Sequence, residues 1–326
     1  MTKFAYFCGH EQWHPEELLE HGALAEEVGF DMVVVSEHFH PWVDDQSASG
    51  FAFSTIGAMA AATERVEFAT GVTTPLFRYH PGVVAQAAAT LDRLSGGRFT
   101  LGVGTGENIN EGPLGYDFPP YAERNARMTE ALEIMRRLLD GEKLDYDGDY
   151  YRTDRAKLYS PPFGPVPILL AAGGPKSAAL AGERAQGVIT SVKDPAETIE
   201  RVIEPLRRSA SEAGRPDPTV LATSWAIFAG DDDEAWQALY PWRGLRAPGR
   251  LEAVDPMELR MRADELPREE VLGRYRQVDT VEGIVEVYRP LVDDLDADVV
   301  AFQMASLDQP ALIRLLGEAV LPKLRG

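Results

Sequence analysis

The chain has 326 residues, of which 44% are hydrophobic, and its formal net charge is −20 at pH 7. This length and apolar content suffice for the core of one large α/β domain or two small ones, and no run of about 18 apolar residues is present to span a membrane. The negative charge argues against nucleic acid or an anionic membrane as a partner, so we expect a small-molecule ligand.

The N-terminal residues lead directly into a predicted strand, without the basic and apolar regions of a secretory signal. Cys8 is the only cysteine, which excludes an internal disulfide and is typical of a cytoplasmic protein. We therefore expect a cytoplasmic location. We also expect the protein to form a homodimer.

Strand-like and helix-like segments alternate along the first 140 residues. Short apolar runs predict strands, and apolar residues at helical spacing predict helices. On this basis we predict strands at 3–8, 31–36, 66–73 and 99–103, and helices at 15–28, 53–63, 81–94 and 121–139.

The alternation continues to the C-terminus, with two interruptions. We predict strands at 167–172, 187–190, 220–228 and 298–303, and helices at 175–185, 194–213, 231–238, 281–289 and 309–324. Pro290 is expected to stop the helix before it. The segment 141–164 is predicted as an inserted hairpin with Tyr146-Asp-Gly148 as its turn. The segment 241–268, rich in Pro, Gly, Arg and charge, is predicted as a second insertion.

Eight strand–helix pairs in a chain of this length predict one α/β domain, a (β/α)8 TIM barrel covering residues 1–326. The alternative, a doubly wound sheet, requires fewer strands and a phosphate-binding fingerprint near residue 10, which is absent. Gly102, Gly104 and Gly106, in the pattern Gly-x-Gly-x-Gly, suggest such a fingerprint. However, residues 108–115 predict a loop where the fingerprint needs a helix. We therefore expect a barrel with insertions at the C-terminal face of the strands.

Residues that follow the strands are the candidates for an active site, because a TIM barrel builds its site at the C-terminal ends of its strands. After the first six strands these are His10, Glu11, Gln12 and Trp13; Ser36, Glu37, His38, Phe39, His40 and Trp42; Gly71, Val72, Thr73 and Thr74; Gly104 to Asn110; Ala171 to Gly174; and Thr190, Ser191 and Lys193. Glu107 behind two glycines is typical of a site for a flat or anionic ligand. A tight turn with a solvated glutamate is the alternative.

The pair His38-x-His40 suggests a metal site, since alternate residues at a strand end can point the same way. Such a site needs further ligands after the fifth and sixth strands, where the chain has Ala-Ala-Gly-Gly and Thr-Ser-Val-Lys, so we expect no metal. A nucleophilic hydrolase is not supported, because Cys8 lies inside the first strand and no Gly-x-Ser-x-Gly motif occurs. His38 as an acid or base, beside Glu107 and glycine-lined walls, suits a bound organic cofactor. A capping or core role for His38 is the alternative.

Several motifs distributed over most of the chain point to a known family. They are Ala25-Glu-Glu-Val-Gly-Phe-Asp, Ser36-Glu-His-Phe-His-Pro-Trp42, Gly71-Val-Thr-Thr-Pro, Gly102-Val-Gly-Thr-Gly-Glu-Asn-x-Asn-Glu111 and Ala171-Ala-Gly-Gly-Pro175. Together they resemble the bacterial-luciferase-like superfamily of flavin and deazaflavin barrels. Within it, the second and fourth motifs resemble the coenzyme F420-dependent branch named for glucose-6-phosphate dehydrogenase.

The resemblance implies an oxidoreductase that binds coenzyme F420 across the barrel mouth, against a non-proline cis peptide at Gly71-Val72. It implies that His38 takes the hydroxyl proton of a sugar, sugar phosphate or alcohol as hydride leaves the adjacent carbon for C5 of the deazaflavin. Glu107 is expected near N1 of the ring, with Trp42 and Glu11 flanking the substrate. The residues expected to hold the cofactor are Glu37, Gly71, Val72, Thr74, Gly106, Glu107, Asn110, Ala172 and Gly173. Most relatives have Asp where this chain has Glu37.

For a phosphorylated substrate, the resemblance implies binding by hydroxyl and lysine residues after the sixth strand and by basic residues of the second insertion. Thr190, Ser191 and Lys193 fit the first group. In the insertion Met261 stands where lysine is expected, so Arg260 and Arg262 (or Arg274) are the candidates for the phosphate. The alternative is that these arginines are solvated helix charges. The alternatives to this function are an FMN-dependent monooxygenase on the same barrel and a non-catalytic relative.

Overall fold

The computed structural model describes residues 1–326 and contains eleven strands. In chain order they are β1 (Lys3–Cys8), β2 (Met32–Val35), β3 (Glu67–Thr70), β4 (Phe99–Val103), β5 (Leu144–Asp147), β6 (Arg152–Ala156), β7 (Ile168–Ala171), β8 (Gly187–Ser191), β9 (Thr219–Phe228), β10 (Arg276–Val278) and β11 (Val299–Ala305).

Eight of these strands form a closed parallel barrel in the order β1-β2-β3-β4-β7-β8-β9-β11, and β11 pairs with β1 to close it. Sequences such as Met-Val-Val-Val in β2 are apolar throughout, as expected for strands covered on both faces. The predicted (β/α)8 TIM barrel is confirmed. The expectation that both insertions lie at the C-terminal face is wrong for the first one, because its strands β5 and β6 directly precede β7 in the chain and so belong to the connection at the N-terminal end of that strand. Because all eight strands are parallel, their C-terminal ends meet at one rim.

The helices surround the barrel. They are α1 (Pro15–Glu27), α2 (Ala52–Ala62), α3 (Pro81–Ser95), α4 (Asn108–Glu111), α5 (Tyr121–Leu139), α6 (Pro175–Arg184), α7 (Pro195–Thr198), α8 (Glu204–Glu212), α9 (Asp232–Ala238), α10 (Pro256–Asp264), α11 (Arg268–Leu272), α12 (Val281–Asp293), α13 (Gln309–Leu315) and α14 (Leu321–Arg325). π-helical turns join α7 to α8 and α13 to α14. No helix has both the length and the apolar character that crossing a membrane requires.

The core has three parts that reflect this layering. Small and branched side chains such as Ala5, Val34 and Ala301 fill the barrel interior, while alternate residues such as Phe4 and Phe302 face the surrounding helices. A third cluster, which includes Trp225 and Trp242, packs beneath the second insertion. That insertion is therefore anchored by its own apolar contacts above the rim of the barrel.

The structure corrects the predicted end of the helix before Pro290. Helix α12 passes through this proline and ends at Asp293. Proline removes one N–H donor, but Tyr288 and Leu291 on either side are buried. The carbonyl of Pro290 also accepts N–H groups of Asp294 and Leu295. Packing against the core therefore stabilises the helix beyond the proline.

Two turns also differ from the sequence prediction. Tyr146 lies within β5, and the hairpin turns at 148–151 instead. The Glu130 carboxylate of α5 accepts three backbone N–H groups there, from residues 149 to 151, and so fixes the turn. The predicted loop at 108–115 contains α4 and a 3-10 turn, Gly112–Leu114.

The second insertion is largely helical. A 3-10 segment, Tyr240–Arg246, is followed by α10 and α11. The sequence did not predict β10, which follows directly and pairs in parallel with the end of β9.

Candidate active site

A cavity of about 850 Å³ opens at the C-terminal rim of the barrel, beneath the second insertion. Most of the residues predicted from the strand ends line it. These are Glu11, Glu37, His38, Trp42, Gly71, Val72, Thr74, Gly106, Glu107, Asn110, Ser191 and Lys193. The rule that a TIM barrel builds its site at the strand C-termini, here called the strand-end rule, therefore located the cavity.

His38 lies at the centre of an acid–base cluster. Its Nδ1 is 2.9 Å from the carbonyl oxygen of His40, so in the neutral ring Nδ1 carries the proton and donates it to that oxygen. Its Nε2 is 3.5 Å from Glu11 Oε1 and 3.6 Å from Glu107 Oε2. This leaves Nε2 free to accept a proton within the cavity. His40, the other histidine of the pair, has a different partner, the carbonyl of Val254.

Each carboxylate beside His38 has its second oxygen bound by another donor. The Ser36 hydroxyl donates to Glu11 Oε2 at 2.5 Å, and Arg250 Nη1 donates to Glu107 Oε1 at 2.5 Å. Glu11 is buried, whereas the Glu107 side chain is 27% exposed. Two negative groups thus face one imidazole, where they can stabilise its protonated form.

His10, on the loop after β1, takes a structural place behind this cluster. Its ring contacts the Ser36 carbonyl at 2.8 Å and the Thr55 hydroxyl at 2.9 Å. Burial lowers the pKa of His10. Both nitrogens of this neutral ring have partners. The ring therefore holds the Ser36 backbone in place and takes no part in proton transfer in the cavity.

Glu37 lines the cavity, but its carboxylate is bound by Arg78. Both carboxylate oxygens are 2.6 Å from Arg78 Nη2. Arg78 Nη1 lies 3.3 Å from Glu111, whose pKa is raised by burial. The role of position 37 is therefore to hold this buried arginine beneath the loop after β3.

Glycines shape one wall of the cavity. The cis peptide expected between Gly71 and Val72 is present. A Cβ on Gly104 would lie 2.6 Å from Val72 Cγ2, so only glycine fits there. Gly106 has φ +83°, which favours glycine. This wall therefore consists of exposed backbone and the Val72 side chain. Such a flat surface suits a heteroaromatic ring.

Asn110 connects two of the loops that form the rim. Its Oδ1 accepts the N–H groups of Phe39 at 2.9 Å and His40 at 3.3 Å. The amide oxygen is thereby occupied, and only the Nδ2 donor of this cavity residue is left for a ligand.

Some predicted residues do not line the cavity. Ala172 is buried and donates its N–H to the Ile189 carbonyl; Thr190 is also buried, and Gly173 is exposed on the loop after β7. The structure does not bring Arg260 and Arg262 to the cavity either.

Helix α10 explains the position of these two arginines. Pro256, Leu259 and Ala263 are its buried residues, so Arg260 and Arg262 lie on its other faces. Arg260 pairs with Asp44 and Arg262 with Glu258. Met261, in the position expected for lysine, is 53% exposed.

Residues of the second insertion, together with Arg274 shortly after it, complete the cavity. Arg246, Arg250 and Arg274 line it together with Lys193, beside the apolar Trp225, Trp242 and Leu245. Burial lowers the pKa of Arg246, and the neighbouring Arg250 and Arg274 add to this. Arg274 was a candidate from the sequence. For Arg246 and Arg250 the only sequence signal was the arginine-rich run 243–250, because the strand-end rule does not cover residues brought in by an insertion.

Comparison with known proteins agrees with this geometry. A family model of luciferase-like monooxygenases matches residues 2–293. The chain is 39% identical to the F420-dependent glucose-6-phosphate dehydrogenase of Nakamurella multipartita, over 99% of this chain and 96% of that one. It is also 39% identical to the F420-dependent hydroxymycolic acid dehydrogenase of Mycobacterium tuberculosis, over 97% of this chain and 86% of that one.

A solved structure gives the same result at the level of the fold. An F420-dependent secondary alcohol dehydrogenase, in complex with an F420-acetone adduct, superposes with a TM-score of 0.90 at 31% identity, and the match covers 100% of both chains. The resemblance to the F420-dependent branch is therefore confirmed by sequence and by fold. The chain belongs to the luciferase-like monooxygenase family.

Proposed function

We propose that the protein is a coenzyme F420-dependent dehydrogenase acting on the CH–OH group of a small-molecule substrate. The observation that carries this proposal is the position of His38 Nε2, between two carboxylates in a cavity that the glycine wall also lines. F420 is better supported than FMN, because the similar dehydrogenases described above are all F420-dependent.

The glycine wall and its neighbours are the proposed cofactor site. Val72, Thr74, Gly106 and Asn110 line this side of the cavity and would hold the deazaflavin, with Gly71 fixing the backbone beside it. When bound, coenzyme F420 supplies the hydride acceptor, at C5 of its ring. Glu107 would face N1 of the ring from the loop after β4.

The chain's own residues handle the proton. His38 Nε2 accepts the hydroxyl proton of the substrate, and the charge that develops on the imidazole is stabilised by Glu11 and Glu107. The Trp42 ring lies 4.8 Å from the His38 ring and keeps water from that side of the base. Donation by Nδ1 to the His40 carbonyl holds the ring in the required tautomer.

The cations of the cavity support an anionic group on the substrate, as in a sugar phosphate. Lys193, Arg246 and Arg274 line the cavity, and Ser191 adds a hydroxyl donor. Guanidinium and ammonium groups together bind a phosphate dianion well. These residues, rather than Arg260 and Arg262, are the proposed phosphate ligands.

A homodimer is proposed from an uncharged groove of about 360 Å³ between α2 and α3. None of its ten lining residues is charged, although 26% of the chain is. Phe51, Val83 and Leu94 are each more than half exposed there. Because each copy carries a charge of −20, contact through such a face avoids apposing like charges. We further propose a cytoplasmic location, on the basis of the single cysteine.

The cofactor proposal is tested by titrating the protein with coenzyme F420 and with FMN and following fluorescence. F420 is expected to bind at least tenfold more tightly, which corresponds to about 1.4 kcal/mol. Gly104→Ala should weaken binding because its Cβ displaces Val72. Gly164→Ala, at an exposed position with no atom nearby, is the control. Equal or tighter FMN binding with oxygen consumption would favour the monooxygenase instead.

A further inference from the structure

The two carboxylates beside His38 are positioned from opposite sides of the site. Ser36, at the end of β2, orients Glu11 from within the barrel, and its Oγ also accepts the His10 N–H at 2.8 Å. Glu107 follows β4, and its donor Arg250 comes from the second insertion, 143 residues further along the chain. One half of the acid–base cluster thus depends on a segment outside the barrel.

Residues 249–254, which carry Arg250, are fixed to the rim of the barrel on both sides. Asn108 Nδ2 donates to the Glu252 carbonyl at 2.9 Å, beside Glu107. His40 Nδ1 lies 3.2 Å from the Val254 carbonyl, on the loop after β2. Val254 also packs so closely on Gly112 that a Cβ there would lie 2.9 Å from its Cγ2.

The contacts of Arg250 place its charge between the insertion and the base. The guanidinium carbon lies 5.6 Å from the centre of the Trp42 ring, and Nη1 donates to Glu107 Oε1. With Oε1 bound in this way, Glu107 Oε2 is the oxygen turned towards His38 Nε2. An ion pair with a fixed hydrogen bond restricts the carboxylate to this orientation.

Arg274 and Lys193 also line the cavity, but neither contacts a residue of the acid–base cluster. Arg274 binds Glu270 and the Arg246 carbonyl, and Lys193 is exposed on the loop after β8. Lys193 is thus available for a substrate anion and Arg274 is held by residues outside the cluster, whereas Arg250 is engaged with a residue of the acid–base cluster.

We propose that Arg250 is a positioning residue for Glu107, so that the second insertion completes the acid–base cluster around His38. This inference rests on the proposed function, because the proton transfer that it supports is the one assigned to His38. The second insertion would then contribute to the proton transfer itself as well as cover the cavity.

The test is a double-mutant cycle with Arg250→Met and Glu107→Ala, read as the single-turnover rate of F420 reduction. Arg250→Met alone should lower this rate about tenfold to hundredfold, which lies within the range of coupling energies between contacting residues. In the Glu107→Ala background the same change should have less than about a threefold effect, because no carboxylate remains to be oriented. Arg250→Lys should recover part of the loss, since it restores a cation and a donor.

Measurements of F420 binding and of KM distinguish positioning of Glu107 from direct binding of cofactor or substrate by Arg250. The dissociation constant of F420 and the KM of the substrate should stay within about threefold of the wild type in Arg250→Met. Arg201→Met, which removes an exposed ion pair with Glu197, is the matched control and should have no effect. A raised KM at unchanged rate would make Arg250 a substrate ligand, and an equal loss in both backgrounds would make it independent of Glu107. Either result overturns the proposal.

Crystal structures of the wild type and of Arg250→Met without cofactor give a readout that does not depend on turnover. In the variant, Glu107 Oε2 is expected to turn away from His38 Nε2, and an unchanged carboxylate would overturn the proposal. A wild type that binds no F420 would contradict the proposed function instead, while these crystal structures would still test the positioning by Arg250.

Discussion

At the scale of single residues, His38 combines a fixed proton on one nitrogen with an open site on the other. The His40 carbonyl binds Nδ1, and Glu11 and Glu107 face Nε2. A neutral imidazole can therefore take a proton, and the two carboxylates stabilise the cation that results. This arrangement is that of a proton acceptor. His10 in the same protein shows the contrasting case, a structural histidine whose two ring nitrogens both have partners.

We expect His38→Ala to lower the single-turnover rate by roughly two to four orders of magnitude, as for the loss of a general base. Binding of F420 should be almost unchanged, because the glycine wall that we propose for the ring remains in place. His14→Ala, at an exposed helix N-cap, serves as the control. A His38 variant with near-normal single-turnover rates would show that another group takes the proton.

Lys193 tests whether the substrate carries a phosphate. Its removal in Lys193→Ala should weaken binding of a sugar 6-phosphate by about 1.5–3 kcal/mol, the range for a hydrogen bond to a charged group. Unphosphorylated sugars and simple secondary alcohols should be unaffected. The measurement compares glucose 6-phosphate, glucose and a secondary alcohol in the wild type, in Lys193→Ala and in Lys176→Ala, which is outside the cavity. A wild type that turns over all three equally would exclude a phosphate site.

At the scale of elements, Glu26 joins the end of α1 to the loop before β3. Its carboxylate accepts the N–H groups of Glu64, Arg65 and Val66, at 2.6 Å from Arg65. Burial alone would raise the pKa of Glu26, but these backbone donors outweigh it and the pKa is lowered. The ionised form is therefore bound more tightly in the folded protein than the protonated form is.

The sign of the pH effect follows from that lowered pKa. The stabilisation by Glu26 is complete above the ordinary glutamate pKa of about 4.3 and is lost as the pH falls through the lower folded value. Glu26→Gln should therefore reduce the free energy of unfolding at pH 7 by about 1.5 kcal/mol, and this difference should shrink below about pH 4. Urea unfolding at a series of pH values measures it, with Glu27→Gln at the exposed neighbour as control. If the loss of unfolding free energy in Glu26→Gln did not depend on pH, the ionised Glu26 carboxylate would not be its source.

The barrel elements could be predicted from the sequence because each carries its own local pattern. Strand β4 and helix α5 have the predicted boundaries, since their apolar periodicity and flanking residues are local. The hairpin turn depends instead on Glu130 of α5, and the course of α12 through Pro290 depends on buried neighbours. Such long-range contacts leave no local pattern.

The same distinction applies to the site. His38, Glu107 and the glycines could be found because strand ends converge at one rim in any parallel barrel. Arg250 could not, because its place is set by contacts such as that between Asn108 and Glu252, which are 144 residues apart. The choice among the arginines of the insertion likewise depends on which face of α10 is buried.

At the scale of the whole molecule, the net charge of −20 opposes the association of two copies. Repulsion between like-charged molecules weakens when salt shortens the range of electrostatic interactions, whereas contact between apolar surfaces does not depend on charge. A dimer that forms through the uncharged groove between α2 and α3 should therefore be stabilised by salt. A dimer held by ion pairs should be weakened by it.

We expect the dimer dissociation constant, measured by analytical ultracentrifugation, to fall as NaCl is raised from about 10 mM to about 150 mM, over which the screening length shortens from about 30 Å to about 8 Å. Leu94→Glu should shift the protein to monomers, because it places a charge at a groove position that is 58% exposed in the single chain. Leu307→Glu, at another exposed leucine outside the groove, should leave the dimer intact. Leu94 does not line the active-site cavity, so F420 binding per chain should be unchanged in both variants. A dissociation constant that rises with salt, or a Leu94→Glu variant that remains dimeric, would assign the interface to a different, charged surface.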